Sequence, residues 1–168
     1  MSLGDIGIIG NLTLKNRIVM APMISNLCNT DGSPSEAHIS YLEERARGGV
    51  SLIITEYSTV DQLNSRGSRN QLSFANPALI PKLRRLTEAI HSHDCLVFAQ
   101  LVHSGGKGIS EINSLISEAP SATDYPGHTP LELNLDEIRR IEEAFGRAAA
   151  VAQHANFDGI ELHGAHGY

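Results

Sequence analysis

Four short apolar runs are spread along the chain, each of a length typical of β-strands. They occupy residues 17–23, 50–56, 95–101 and 157–163. The runs are apolar almost without interruption, which is typical of strands covered on both faces, as in a parallel sheet. The pattern therefore predicts four buried strands in one parallel sheet.

Three segments with helical periodicity separate these runs. The first is predicted to begin after an N-cap at Ser33 and to end at Gly48, and the second to begin at Pro81. Asn134 and Glu137 form the capping pair of the third. The resulting order is strand, helix, strand, helix, strand, helix, strand.

Strict alternation of this kind implies right-handed parallel crossovers, in either a barrel or a doubly wound sheet. The turn after the first strand, at residues 23–28, lacks the glycine-rich fingerprint of a dinucleotide-binding fold. The alternation therefore favours an α/β fold of the TIM (β/α)8 barrel type, with residues 1–168 as its first four strands.

Two further segments fit this barrel. Residues 6–14 alternate around Gly10-Asn11, a good two-residue turn, and predict an N-terminal β-hairpin that plugs one end. Residues 102–133 form a long Gly-, Ser- and Pro-rich loop after the third strand. A loop of that length is usually functional, and here it would lie on the face where barrel active sites form.

Composition narrows the class of protein without identifying a function. The 168 residues are 41% apolar and 19% charged, as in a globular domain, and the net charge of -6 is spread evenly. We therefore expect neither a nucleic-acid nor a membrane partner, and a cytoplasmic location because no targeting segment is visible. Cys28 and Cys95 lack metal-ligand spacing, so buried idle thiols are expected and no metal site.

Polar side chains recur at the ends of the predicted strands. Because these ends share one face of a barrel, we expect the side chains to converge on one mouth. Two histidines three residues apart could donate to one developing oxyanion, or bind a metal together with a third histidine. A lone histidine is more often structural, so the evidence for a site is that several polar residues are expected on the same face. The residues concerned are Glu56, Tyr57, Gln100, His103, His163 and His166.

Five motifs in order make the chain resemble a known family. Residues 14–23, 49–56, 100–105, 119–122 and 157–168 are similar to the Old Yellow Enzyme family, and most of all to its branch of NADH:flavin oxidoreductases like 2,4-dienoyl-CoA reductase. The resemblance covers the N-terminal half of such a protein. It implies noncovalent FMN, NADH or NADPH as reductant, and an activated alkene as the small-molecule substrate.

The resemblance also implies roles for individual residues. Ala21, Pro22 and Met23 would line the flavin, and Gln100 would bond the pyrimidine edge of its ring. The substrate's carbonyl oxygen would be held by two residues and the α-carbon protonated by a third. These three are His163, His166 and Tyr168.

Three positions depart from the family pattern. Ile24 stands where many members place a Cys or Thr that tunes the flavin, which also argues for noncovalent FMN. Tyr57 stands where a small residue is common beside the flavin, and an aromatic residue there resembles the pockets of the amine-oxidising branch. Gly106 stands where the family motif usually has an arginine. An amine-oxidising flavin dehydrogenase therefore stays open, as does a metal-dependent hydrolase using His103 with the histidine pair.

Residues 1–168 do not include several features expected of a protein of this family. The flavin phosphate site would come from loops after the seventh and eighth strands, and an iron-sulfur cluster only from a C-terminal extension. A half barrel also exposes unpaired strand edges. We therefore expect residues 1–168 alone to be inactive, and to pair with the missing half or with a second copy.

Overall fold

The computed structural model describes residues 2–109, 111–113, 116–125 and 127–168. Its helices are α1 (Glu36–Arg47), α2 (Ile80–His91) and α3 (Leu135–His154), with short 3-10 helices at Pro77–Leu79 and Gly105–Lys107. Its strands are β1 (Gly7–Ile9), β2 (Leu12–Leu14), β3 (Val19–Met20), β4 (Leu52–Ile54), β5 (Ser58–Thr59), β6 (Leu96–Val102), β7 (Glu118–Ala119), β8 (Leu131–Glu132) and β9 (Gly159–Leu162).

The central sheet is parallel throughout. β3 pairs with β4, β4 with β6, and both β5 and β9 with β6. One helix lies in each crossover from β3 to β4, from β4 to β6 and from β6 to β9. The predicted α/β class and the parallel sheet are therefore confirmed, and the carboxyl ends of the strands lie at one edge.

β3 is much shorter than the run of residues 17–23 predicted. Its ladder to β4 comprises Val19 and Met20 and then stops. Two residues later comes Pro22, which has no backbone N–H to donate to a ladder. The chain leaves the sheet at this point, and the residues that follow become available to line a cavity.

The N-terminal hairpin forms at the predicted turn. β1 and β2 pair antiparallel, with Ile9 opposite Leu12 and Gly10-Asn11 between them. Gly10 has φ 59°, in the left-handed region that glycine enters without a steric penalty.

Helix α1 begins two residues later than the sequence predicts. Its N-cap is Ser35, whose side chain accepts from the backbone N–H of His38 at 3.1 Å. The predicted cap, Ser33, is fully buried, and its hydroxyl donates to Asp31 at 2.6 Å. The prediction of Ser33 was wrong. Serines stand on both sides of Pro34, and the helix begins directly after Ser35.

Helix α2 begins at Ile80, one residue before the predicted Pro81, and the remaining predicted ends agree with the structure. Gly48 is the C-cap of α1, and Asn134 forms a capping box with Glu137 at the start of α3. The core lies between one face of these helices and the sheet. Fully buried side chains from both layers meet there, including Leu83, Leu86, Ile90, Ile53 and Val97.

Both cysteines are buried free thiols, as predicted. Cys28 is 4% and Cys95 1% exposed. Burial raises the pKa of Cys95 to about 11, so its thiol is neutral at ordinary pH. Within the described residues, no helix combines the length and the apolar character that crossing a bilayer requires.

An ion pair between α2 and the turn before β9 makes the stability of the fold depend on pH. His91 Nε2 lies 2.8 Å from Asp158 Oδ2, which also accepts from the N–H of Val97 at 2.8 Å. The bond with Asp158 raises the pKa of His91 above 6.5. Burial works against the charged form of Asp158, but its bonds with His91 and Val97 outweigh burial and lower its pKa below 3.8.

We expect this pair to stabilise the fold most between about pH 4 and 6.5, near the unperturbed values of the two groups. The contribution of His91 is lost as pH rises through its raised pKa, and that of Asp158 as pH falls through its lowered pKa. In urea unfolding of the full-length protein, His91→Gln should cost about 0.5 kcal/mol at pH 5 and less at pH 8.5. An equal cost at both pH values would contradict this account.

Candidate functional site

The carboxyl ends of β3, β4, β6 and β9 surround one open cavity of about 690 Å³. Most of the residues predicted for the site line it, whereas Ala21 lies just before the lining segment that follows β3. The predicted residues that line the cavity are Pro22, Met23, Ile24, Tyr57, Gln100, His163, His166 and Tyr168.

Glu56 does not reach this cavity, contrary to the expected convergence. Its side chain is buried beneath the mouth, where Oε2 accepts from the N–H and the hydroxyl of Ser25 at 2.8 and 2.7 Å. Oε1 accepts from the N–H of Leu72 at 3.0 Å. Glu56 therefore ties the segment after β3 to the segment after β5, directly behind the cavity-lining residues.

Cys28 and His38 lie close enough to Glu56 to resemble a set of metal ligands, and in the structure these three side chains contact one another directly. Cys28 Sγ is 3.3 Å from His38 Nδ1, and His38 Nε2 is 3.9 Å from Glu56. Burial, followed by the Glu56 charge, raises the pKa of the thiol far above its usual range. We interpret the group as a buried hydrogen-bond network.

His103 is a structural residue rather than part of the site. Its Nδ1 accepts from the N–H of Gly105 at 3.2 Å, and its Nε2 lies 3.1 Å from Asn64 Oδ1. Burial lowers its pKa, so the ring is neutral with both nitrogens engaged. A three-histidine metal site made with His163 and His166 therefore has no support.

The histidine pair is held by a tight turn after β9. The N–H of Tyr168 donates to the carbonyl of Ala165 at 3.2 Å, and the two central residues, His166 and Gly167, have φ of 58° and 73°. Positive φ at both central positions is typical of a type I′ turn. The turn brings the rings of His163 and His166 to a centroid distance of 5.7 Å.

The hydrogen bonds of His163 define its protonation state. Burial, followed by the neighbouring His166, lowers the pKa of His163, so the imidazole is neutral. Its Nδ1 accepts from the N–H of Ala165 at 3.2 Å, which places the single ring proton on Nε2. His163 is therefore a neutral hydrogen-bond donor, which suits an oxygen that gains negative charge.

Tyr57 forms an aromatic wall beside the turn. Its ring stacks on that of Tyr168 at 5.3 Å and meets His163 edge-on at 6.0 Å. Burial, followed by contact with Tyr168, raises the pKa of Tyr57, which therefore remains a phenol. Its hydroxyl donates to the carbonyl of Gly67 at 3.4 Å.

The two charged residues of the cavity escaped the sequence analysis. Glu161 Oε2 accepts from Gln100 Nε2 at 2.6 Å, and the ammonium of Lys107 donates to the carbonyl of His166. The signal for Glu161 was its place two residues before His163 in a strand, which puts both side chains on one face. Lys107 carried no signal in the sequence, because its approach to the turn depends on tertiary structure.

The bond to Glu161 fixes the orientation of the Gln100 amide. A carboxylate only accepts hydrogen bonds, so the nitrogen of Gln100 must face Glu161. The amide oxygen is therefore directed away from Glu161 and can act as an acceptor. A ligand placed against Gln100 could donate an N–H to this oxygen.

Comparison with known proteins agrees with this geometry. The chain is 44% identical over 165 residues to an NADH oxidase of Thermoanaerobacter brockii and 36% identical over 159 residues to an NADPH dehydrogenase of Listeria welshimeri. These alignments cover 96% and 94% of this chain but 25% and 46% of those proteins. The chain thus spans half or less of the length of these curated relatives.

The fold matches solved structures equally well. An Old Yellow Enzyme homologue from Zymomonas mobilis superposes with a TM-score of 0.92 at 32% identity, over 100% of this chain and 50% of that one. A 2-naphthoyl-CoA reductase superposes with a TM-score of 0.93 at 25% identity, over 99% of this chain and 27% of that one. The family model for NADH:flavin oxidoreductases and NADH oxidases matches residues 8–168. The chain therefore belongs to the NADH:flavin oxidoreductase / NADH oxidase family.

Proposed function

We propose that this chain is the first half of a (β/α)8 barrel in an FMN-dependent enzyme, which passes hydride from NADH or NADPH to an activated alkene. The alkene would be an enone or an enoyl thioester. The observation that carries the proposal is that Gln100 lines the same cavity as the turn bearing His163, His166 and Tyr168. Among its relatives are a cinnamate reductase of Clostridium sporogenes and the 2-naphthoyl-CoA reductase, both named for reducing unsaturated acids or their thioesters.

The barrel proposal is supported by the edges of the sheet. Within the described residues, β3 pairs only with β4 and β9 only with β6, so each end of the sheet could accept a further strand. Closing the sheet would require about as many strands again, and the Zymomonas protein is twice as long as the segment this chain covers.

The cavity residues fit a flavin ring. Met23 and Leu162 are 64% and 65% exposed at its mouth, an apolar surface that a flat aromatic ring would cover. Gln100 lines the same space, and its amide oxygen could accept from the N–H of the pyrimidine portion of FMN. Ile24 adds a third apolar wall and no hydrogen-bond donor. These contacts would hold FMN noncovalently.

Bound FMN would supply the hydride chemistry, and the residues of this chain would handle the charge and the proton. Hydride addition to the β-carbon pushes an electron pair onto the carbonyl oxygen. His163 Nε2–H would donate to that oxygen, joined by His166 from the adjacent turn. Tyr168 would then protonate the α-carbon, since its phenol follows His166 by two residues in the same turn.

An amine-oxidising activity is disfavoured by Lys107. Tyr57 provides an aromatic wall, but the ammonium of Lys107 lies 5.2 Å from the centroid of the adjacent Tyr168 ring. A cation already occupies the aromatic face that would attract an alkylammonium substrate. The two positive charges would repel each other.

Anaerobic turnover of the full-length protein tests the proposal. NADH or NADPH should be consumed only when an enone or an enoyl thioester is present, in a ratio of one nicotinamide to one saturated product. Bleaching of the flavin by an amine without nicotinamide would contradict the proposal. A colourless protein containing stoichiometric zinc would also contradict it and would favour the hydrolase.

Replacing Gln100 by leucine in the full-length protein should weaken FMN binding by about tenfold or more. The substitution removes the acceptor for the ring N–H, and an unpaired buried polar group costs about 1–3 kcal/mol. Titration of apoprotein with FMN, followed by flavin fluorescence, measures the change. Gln62→Leu makes the same substitution on an exposed glutamine outside the cavity and should leave binding unchanged. Equal affinity in wild type and Gln100→Leu would remove Gln100 from the flavin site.

A further inference from the structure

We propose that Lys107 forms an anion subsite in the cavity and selects alkenes whose activating group is a free carboxylate. The inference rests on the proposed function and specifies its substrate class. Lys107 belongs to the short 3-10 helix after β6, which His128 contacts at the Gly106 carbonyl.

The ammonium of Lys107 lies at the histidine end of the cavity. Lys107 is the last residue of the short 3-10 helix that follows β6, and its Nζ donates to the carbonyl of His166. The same nitrogen is 5.2 Å from the centroid of the Tyr168 ring. An ammonium group carries three N–H donors, so the bond to His166 leaves two for a ligand.

The neighbouring loop explains why the cation is at position 107. A Cβ on Gly106 would lie 2.4 Å from the ring of Tyr125, so a side chain at 106 would have to displace that ring. The loop is held in place by His128, whose Nε2 lies 2.7 Å from the Gly106 carbonyl. The ring of Tyr125 therefore occupies the space beside position 106, and Lys107 is the basic residue of this turn that lines the cavity.

The two opposite charges of the cavity bond different residues, Lys107 the carbonyl of His166 and Glu161 the amide of Gln100. Lys107 and Glu161 are the two formally charged side chains in its lining, and Glu161 already accepts from Gln100. His163 is a neutral imidazole because burial lowers its pKa. An anion held by the histidine pair would meet the Lys107 ammonium, which bonds the His166 carbonyl, whereas Glu161 bonds Gln100.

A free carboxylate needs this charge more than a ketone or a thioester does. When hydride forms a C–H bond at the β-carbon, the π-bond breaks and its electron pair moves onto the activating group. A ketone then carries one negative charge, whereas a carboxylate carries two until Tyr168 protonates the α-carbon. The two imidazole donors suit a single charge, and a nearby ammonium stabilises the second.

The proposal is tested in the full-length enzyme with two matched substrates, cinnamate and benzylideneacetone, which share a phenyl-substituted alkene and differ in charge. Three variants separate charge from structure. Lys107→Met removes both the charge and the donor, Lys107→Gln keeps a donor for the His166 carbonyl, and Lys107→Arg keeps the charge. Steady-state kcat and KM are measured for each substrate, and binding of the product hydrocinnamate is measured by calorimetry.

We expect Lys107→Met and Lys107→Gln to lower kcat/KM for cinnamate, and affinity for hydrocinnamate, by about 10- to 100-fold, the range of a charge-assisted hydrogen bond. Benzylideneacetone should change by less than about threefold, and Lys107→Arg should retain most of the cinnamate activity. An equal loss for both substrates would assign Lys107 to holding the turn and overturn the proposal. Wild type that reduces benzylideneacetone but not cinnamate would overturn this proposal alone, whereas wild type that reduces neither alkene would overturn the proposed function as well.

Discussion

Replacement of both His163 and His166 by alanine in the full-length enzyme should slow enone reduction by about 100-fold or more. The loss of one preorganised donor to an oxyanion costs about 2.7 kcal/mol or more of barrier, and this variant loses two. Flavin binding and its reduction by NADH should persist, because Gln100 and the apolar wall near Met23 are untouched. Single-turnover kinetics with pre-reduced enzyme measures the step that depends on the histidines.

An exposed histidine outside the cavity provides the control. His154, at the end of α3, bonds the carbonyl of Ala150 within its own helix, and His154→Ala should leave enone reduction unchanged. If the double variant reduces enones at the wild-type rate, the histidine pair has no part in the mechanism. If it loses its flavin, the pair contributes to cofactor binding instead.

A protein consisting of residues 1–168 alone should be dimeric or aggregated and should hold FMN weakly. β3 and β9 would present unpaired edges, and the side chains of Ile160 and Leu162 are 42% and 65% exposed. The loops expected to hold the flavin phosphate follow the seventh and eighth strands of a barrel, so in this fragment the ring contacts alone would have to offset the cost of binding. Light scattering and FMN titration of this fragment measure both properties.

A variant of the fragment with a charged β9 edge provides the control for self-association. Ile160→Lys with Leu162→Lys places two like charges on β9, which should reduce self-association because charges on an edge strand oppose edge-to-edge pairing. A folded monomer of the unmodified fragment, or one that binds FMN stoichiometrically, would refute the prediction.

Most of the fold could be predicted from the sequence because its signals are local. Continuous apolar runs identified the strands of the parallel sheet, and Asn134 with Glu137 identified the start of α3. The exception at α1 was also local, since Ser33 and Ser35 offer the same capping chemistry. Which serine caps the helix depends on Asp31, which bonds Ser33 and removes it from competition.

The candidate site was predictable where residues follow strands directly and not where packing decides. The side chains of Gln100 and His163 face the cavity because their strands end there. Glu56 follows β4 in the same way, yet it turns inward to bond Ser25 and Leu72, an outcome that depends on two distant segments. Lys107 reaches the site only because a loop and a turn, far apart in sequence, meet beside it.

The central claim is that a flavin bound in this cavity passes hydride from a nicotinamide to an alkene. Single-turnover spectroscopy of the full-length protein tests this claim most directly. Under anaerobic conditions, stoichiometric NADH or NADPH should bleach the visible absorbance of the bound flavin. Addition of an enone or an enoyl thioester should then restore that absorbance and yield one equivalent of the saturated product. A protein that contains no flavin, or a bleached flavin that no activated alkene reoxidises, would contradict the account.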